Sequence, residues 1–200
     1  MHYNQRVELI LASTSPRRRE LLATLGVPFT VVAGEKVDEA GLLAAHNGSL
    51  EERLLALAKR KGEHVAQAHP AAAVLSADTV VVIDGAALGK PVDAAEAREM
   101  LCRLSGRMHE VYTAVAVQHA QLHYTASGCE ITRVHFSELS SGRIARYIER
   151  EQPYDKAGAY AIQGIGALLV ARIEGDYSNV VGLPLGLTAR LLERAGIDVL

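Results

Sequence analysis

The sequence predicts an α/β protein in which helices surround a mixed, twisted β-sheet, and two observations carry that expectation. Short apolar runs such as Leu9–Ala12 alternate with longer stretches whose apolar residues recur every three or four positions. This is the pattern of strands alternating with amphipathic helices. In the middle of the chain two β-rich segments, 109–117 and 122–136, follow one another almost directly. They add hairpin-like strands and so make the sheet mixed. A chain of 200 residues suits one large domain or two small lobes, with ample material for a core.

The first element sets the pattern. Leu9–Ala12 reads as a buried strand, and Ser13, Thr14 and Ser15 turn the chain into a helix. Ser15 is a natural N-cap and Pro16 suits the first helical position. Leu21, Leu22 and Leu25 share one face, and Gly26 can close the helix. Arg17, Arg18 and Arg19 occupy the first turn, where the helix dipole disfavours cations. They form either a solvated basic patch or the lining of an anion site, most simply for a polyphosphate. The G-x-x-x-x-G-K-[ST] signature of a P-loop is absent.

Phe29–Ala33 reads as a second strand, and 34–48 as a polar connection holding Asp38 and Glu39. Ser49 and Glu52 have the spacing of a capping box, opening a helix that runs to about His69. Its apolar row is Leu50, Leu54, Leu57, Ala58 and Val65, and Lys61 falls within that row. A lysine there either snorkels outward or meets a buried anion. The next apolar run, 71–83, contains Asp78. A carboxylate inside a buried strand requires a cation, a metal or a functional role.

Asp84-Gly85 signals a tight hairpin, and Asp93 caps a helix from Ala94 to Leu104. Ser140 or Ser141 starts a helix to about Glu151, with Arg143, Arg146 and Arg150 expected on its solvated face. Residues 153–164 form a Gly-punctuated loop. The runs 168–173 and 177–181 look like closing strands, and Leu183-Pro184-Leu185 opens a terminal helix to about Ala195.

Composition narrows the function classes. A net charge of −2 argues against a general nucleic-acid binder while permitting a local basic pocket. No stretch is long enough to span a membrane and the leading residues do not form a signal peptide, so a cytoplasmic location is expected. Cys102 and Cys129 are too far apart for a metal or redox motif and are expected to be buried thiols. The eight histidines show no ligand spacing.

Together these segments resemble the Maf family of nucleotide pyrophosphatases, also called septum-formation inhibitor proteins. The matching segments, in family order, are Leu11–Arg18, Val37–Glu39, Leu57-Ala58 with Lys61, and Ala77–Val81. They continue with Gly89–Pro91, Leu104–Gly106, Val111–Val115, Asp155–Gly158 and Val181–Pro184. The matches span nearly the whole chain, so 1–200 is read as a single family domain. Asp155–Tyr160 followed by Ile162-Gln163-Gly164 is similar to the branch that hydrolyses dTTP and UTP. Two departures are Ala56, where relatives often have Arg, and Gly62, where Ala is usual. Gly62 is expected to loosen its helix by under ~1 kcal/mol.

The resemblance implies two lobes around a central cleft, as in inosine-triphosphate pyrophosphatases, and commonly a homodimer. It implies that Asp78 is the catalytic carboxylate and that Arg17, Thr79 and Gln163 set base preference. The expected reaction is hydrolysis of a nucleoside triphosphate to the monophosphate and pyrophosphate. Ser13 and Ser15 would bind phosphate oxygens, and Arg17, Arg18, Lys61 and Lys90 would neutralise their charge. Asp78 would act as general base, directly or while holding Mg²⁺ or Mn²⁺, with Glu39 as a second metal carboxylate. A carboxamide at Gln163 can match the O4 and N3–H edge of uracil or thymine. Asp93 and Asp155 are explained by capping and loop structure. Two other readings compete: 7-methyl-GTP hydrolysis, as in a sister branch, and a non-catalytic nucleotide-binding regulator of cell division.

Overall fold

The strand–turn–helix at the start of the chain forms as expected: strand β1 is Leu9–Leu11 and helix α1 is Pro16–Ala23, with Ser15 as its N-cap. This computed structural model describes residues 7–34, 37, 38, 41 and 48–200. The second strand, β2, is only Thr30–Val31. Helix α2 (Leu50–Ala68) opens on the expected capping box, in which Glu52 N–H donates to Ser49 and Glu52 accepts from Ser49 N–H.

Strand β3 (Ala73–Ile83) is buried almost throughout and turns into β4 (Ala86–Leu88). Asp84 and Gly85 both have positive φ, 53° and 72°, as a type I′ hairpin turn requires. Helix α3 (Ala94–Leu104) is capped by Asp93 and leads into β5 (Met108–His119) and β6 (Tyr124–Phe136). Helix α4 (Ser141–Glu151) is capped by Ser140, and two 3₁₀ turns, Ala157–Ala159 and Gly164–Leu169, precede β7 (Val170–Glu174). Helices α5 (Tyr177–Val181) and α6 (Leu185–Arg194) complete the chain.

The sheet is mixed, with order β2-β1-β3-β5-β6-β7 and β4 beside β3. Strand β1 runs parallel to β2 and β3, whereas β4 is antiparallel to β3 and β7 to β6. Two compact units emerge. The first holds the described residues up to Asp78 together with 113–130 and 182–200, and the second holds 79–112 and 131–181.

In the first unit β1 is covered on both faces, as expected for parallel strands. Leu9 and Leu11 pack with Leu22 of α1, Leu75, and Leu191 and Leu192 of α6. Ile10 and Ala12, on the other face, pack with Val65 and Ala66 of α2. In the second unit the buried residues include Leu101, Leu104, Val134, Phe136, Ile144, Tyr147 and Tyr160.

Three sequence expectations are corrected. Residues 177–181 form a helix and not a strand, because Asp176 caps them: its carboxylate accepts from the Ser178 N–H at 2.7 Å. Cys102 is exposed, since α3 buries Ala97, Met100, Leu101 and Leu104 and turns Cys102 away. Cys129 is only half-buried, although burial, helped by Glu51 and Glu130, pushes its thiol up to about 12. Arg143 is also not simply solvated, because it donates to the Leu168 carbonyl at 2.6 Å. Arg146 and Arg150 are exposed as expected.

Candidate active site

The first unit gathers most of the predicted charges at one end of its parallel strands. Strand β1 pairs with β3 in the register Leu11 to Leu75, and Ala12 N–H donates to the Leu75 carbonyl. Ser13 to Ser15 therefore leave the sheet at the carboxyl end of β1, at the level where β3 continues through Ser76 and Ala77 to Asp78. The carboxyl ends of parallel strands are where α/β proteins place their ligands.

The turn itself is built by its serines. Ser15 N–H donates to Ser13 Oγ at 3.2 Å, and Arg18 N–H donates to Ser15 Oγ at 3.4 Å. Each hydroxyl thus accepts from the main chain and still carries a hydrogen that suits a phosphate oxygen. The first turn of α1 holds no acid. Arg17 and Arg18 are half-buried, whereas Arg19 is exposed. Arg18 Nε donates to the Gly182 carbonyl at 2.9 Å, which fixes where its guanidinium lies.

Lys61 and Asp78 answer each other. The Lys61 ammonium donates to Asp78 Oδ1, and the two side chains are 20% and 11% exposed. The pair resolves both anomalies of the sequence: a lysine on an apolar helix face and a carboxylate in a buried strand. Mutual attraction offsets the desolvation that each charge would suffer alone. The helix reaches the strand because of two neighbours. Ser76 Oγ donates to the Ala58 carbonyl at 2.7 Å, tying β3 to α2. Gly62 faces the same strand, and a Cβ there would lie 2.7 Å from Ser76 Oγ and 2.6 Å from Gln118 Oε1. Gly62 is therefore a close-approach residue, which corrects its reading as a mere loosening of the helix.

In the second unit Thr79 follows Asp78 on β3 and is half-buried. Lys90 is exposed, and the Gly89 carbonyl before it accepts from Gly158 N–H at 3.0 Å. Gln163 is half-buried and extended, with φ −79° and ψ 161°, at the start of a 3₁₀ turn. Glu39 lies outside the described residues.

Sequence reasoning left unassigned three residues of this unit that the structure singles out. Lys156 is 14% exposed at its side chain and pairs with Asp155 at 2.7 Å. His109 and Tyr160 are both buried and joined at 2.7 Å. Burial, reinforced by His135, lowers the His109 pKa to about 4, and burial with Tyr147 pushes the Tyr160 phenol up. The only signal was the Asp-Lys-Ala-Gly-Ala-Tyr run, since a lone histidine in a β-strand carries none.

The family model described as "Maf-like protein" matches residues 8–195. The chain belongs to this family. This Maf-like chain is 53% identical over 194 residues to the dTTP/UTP pyrophosphatase of Myxococcus xanthus, covering 96% of this chain and 94% of the relative. The dTTP/UTP pyrophosphatase of Symbiobacterium thermophilum is 51% identical, with 96% of both chains covered. That of Bacillus velezensis is 48% identical, with 94% and 97% covered. The solved Ham1 protein of Staphylococcus aureus aligns with a TM-score of 0.44 at 15% identity, over 64% of this chain and 71% of that one.

The donor set of the Maf-like chain suits a hard divalent cation in one mode. Among the described residues no group of three or more His, Cys, Asp or Glu side chains converges. Asp78 offers a carboxylate, and Mg²⁺ is commonly held by one or two carboxylates together with substrate phosphates and water. Asp78 therefore fits as a protein ligand to a metal that arrives with a polyphosphate. No helix among the described residues is long and apolar enough to cross a membrane.

Proposed function

We propose that this protein hydrolyses nucleoside triphosphates, dTTP and UTP in preference, to the monophosphate and pyrophosphate. The observation that carries the reading is the Lys61–Asp78 pair, midway along β3 and three residues beyond Leu75, where β1 ends and gives way to a serine- and arginine-lined turn. The relatives' shared name, dTTP/UTP pyrophosphatase, supports the substrate class.

A nucleoside triphosphate carries about four negative charges. Ser13, Ser15 and the N–H groups of the turn would donate to phosphate oxygens, and Arg17 and Arg18 would neutralise them. Lys61 occupies Oδ1 of Asp78, which orients the carboxylate and leaves Oδ2 as the oxygen to accept a proton from the attacking water. Attack at the α-phosphorus breaks the α–β anhydride, so the water oxygen ends on the monophosphate and pyrophosphate leaves. A bound Mg²⁺ or Mn²⁺, with Asp78 and Glu39 as its proposed protein ligands, would supply charge neutralisation on the phosphates. Lys90 is proposed as a further phosphate cation, and Arg17, Thr79 and Gln163 as the residues that read the base. A cytoplasmic site of action belongs to the same proposal.

Purified protein with Mg²⁺ or Mn²⁺ should release pyrophosphate from dTTP and UTP. Asp78→Asn should lower kcat by about 10²–10⁴-fold, the range for loss of a positioned base. Release of inorganic phosphate, or an active Asp78→Asn variant, would exclude this mechanism. Faster turnover of 7-methyl-GTP would move the chain to that substrate, and nucleotide binding without turnover would make it a regulator.

A further inference from the structure

Gln163 closes a segment, 156–163, that is fixed at three points within the second unit. Gly158 N–H donates to the Gly89 carbonyl at 3.0 Å, and Ala161 N–H donates to the Tyr147 hydroxyl at 3.2 Å. Between them, the Tyr160 hydroxyl meets His109 Nε2 at 2.7 Å. His109, Tyr160 and Phe136 also stack edge to face, with ring centroids 4.7–5.4 Å apart.

Two features show that this third anchor is more than filler. Ala159, directly before Tyr160, has φ +61°, a left-handed conformation costing an L-residue about 1–2 kcal/mol. Such strain persists only where the surroundings over-determine it. His109 is 1% exposed, and its Nδ1 has no hydrogen-bond partner. A buried polar atom left unpaired costs stability that an apolar side chain of similar size would not. The pair thus holds a defined backbone geometry at the expense of packing stability.

We propose that His109, through the Tyr160 hydroxyl, is a positioning residue that sets the 156–163 backbone and so holds Gln163 where it reads the nucleotide base. This rests on the base-reading role proposed for Gln163. Burial keeps His109 neutral at physiological pH, so one of its ring nitrogens always remains an acceptor.

The test uses the full chain with dTTP, UTP, CTP and GTP, comparing Tyr160→Phe, His109→Leu and His109→Gln. Tyr160→Phe removes only the hydroxyl and keeps the ring. It and His109→Leu should raise KM for dTTP about three- to tenfold and lower selectivity for dTTP in the direction of Gln163→Ala, with kcat within about twofold. His109→Gln places an amide near the lost Nε2 and should recover most of the selectivity. Amide hydrogen exchange over 156–166 should quicken in Tyr160→Phe and return toward the wild-type rate in His109→Gln. Lower stability or quicker exchange with unmoved KM and selectivity would overturn the proposal and leave the pair a packing element. A wild type that releases no pyrophosphate would sink the proposed activity and this role together. An active wild type whose variants match it would sink only this role.

Discussion

The Lys61 ammonium on α2 bonds the Asp78 carboxylate on β3, across a helix–strand contact that Gly62 makes close and Ser76 ties. Removing one partner strands a largely buried charge, whereas removing both does not. Lys61→Met should therefore destabilise the protein by about 3 kcal/mol. The double variant Lys61→Met/Asp78→Asn should recover most of that loss. A urea double-mutant cycle checks it, and additive effects would show that the two charges do not depend on each other.

Gly62 makes an opposite prediction to helix propensity. Glycine to alanine in a helix ordinarily stabilises by about 1 kcal/mol. Here the new methyl would press on Ser76 and Gln118, so Gly62→Ala should instead cost about 1–3 kcal/mol. It should also reduce turnover by displacing Lys61. A stabilised, fully active Gly62→Ala variant would show that the helix and strand can part without consequence.

His109 couples folding to pH. Its folded-state pKa is lowered to about 4 from 6.5, so the unfolded chain binds more protons than the native one between those values. Stability from this group is therefore present above about pH 6.5 and is lost as pH falls toward 4. The full loss is on the order of 3 kcal/mol, from 1.36 kcal/mol per pKa unit. Urea midpoints at pH 7, 5.5 and 4 should fall more steeply for the wild type than for His109→Gln. Equal slopes would place the acid sensitivity elsewhere.

The capping box at α2 offers a more local test. Ser49 and Glu52 satisfy each other's main-chain N–H groups at 3.2 and 2.8 Å. Ser49→Ala should cost about 1 kcal/mol, read as a lower thermal midpoint, with little effect on kcat because the cap lies three turns from Lys61.

Local rules made much of this fold readable. Ser15 and Pro16 mark the start of α1, Asp84-Gly85 the β3–β4 hairpin and Asp93 the start of α3, because each feature depends on residues within a few positions of one another. The same rules failed where two local signals competed. Tyr177–Val181 has strand-forming side chains, yet the Asp176 cap drew it into a helix. Residues 164–169, expected in part as strand, wind into a 3₁₀ turn before β7 begins at Val170.

The sequence by itself determined the family, most of the strands and helices up to the last strand, and the presence of misplaced charges at Arg17, Arg18, Lys61 and Asp78. Periodicity and burial cost suffice for that, since a charge in an apolar pattern is conspicuous whatever it touches. Only the tertiary structure decided that Lys61 is the partner of Asp78, that Gly62 is there for proximity, and that His109 reaches Tyr160. Those pairs lie 17 and 51 residues apart in the chain. The parallel register of β1 with β3 and the packing of α2 on β3 bring the first pair together. The second pair meets within the aromatic cluster of the other unit, where burial makes a single hydrogen bond matter.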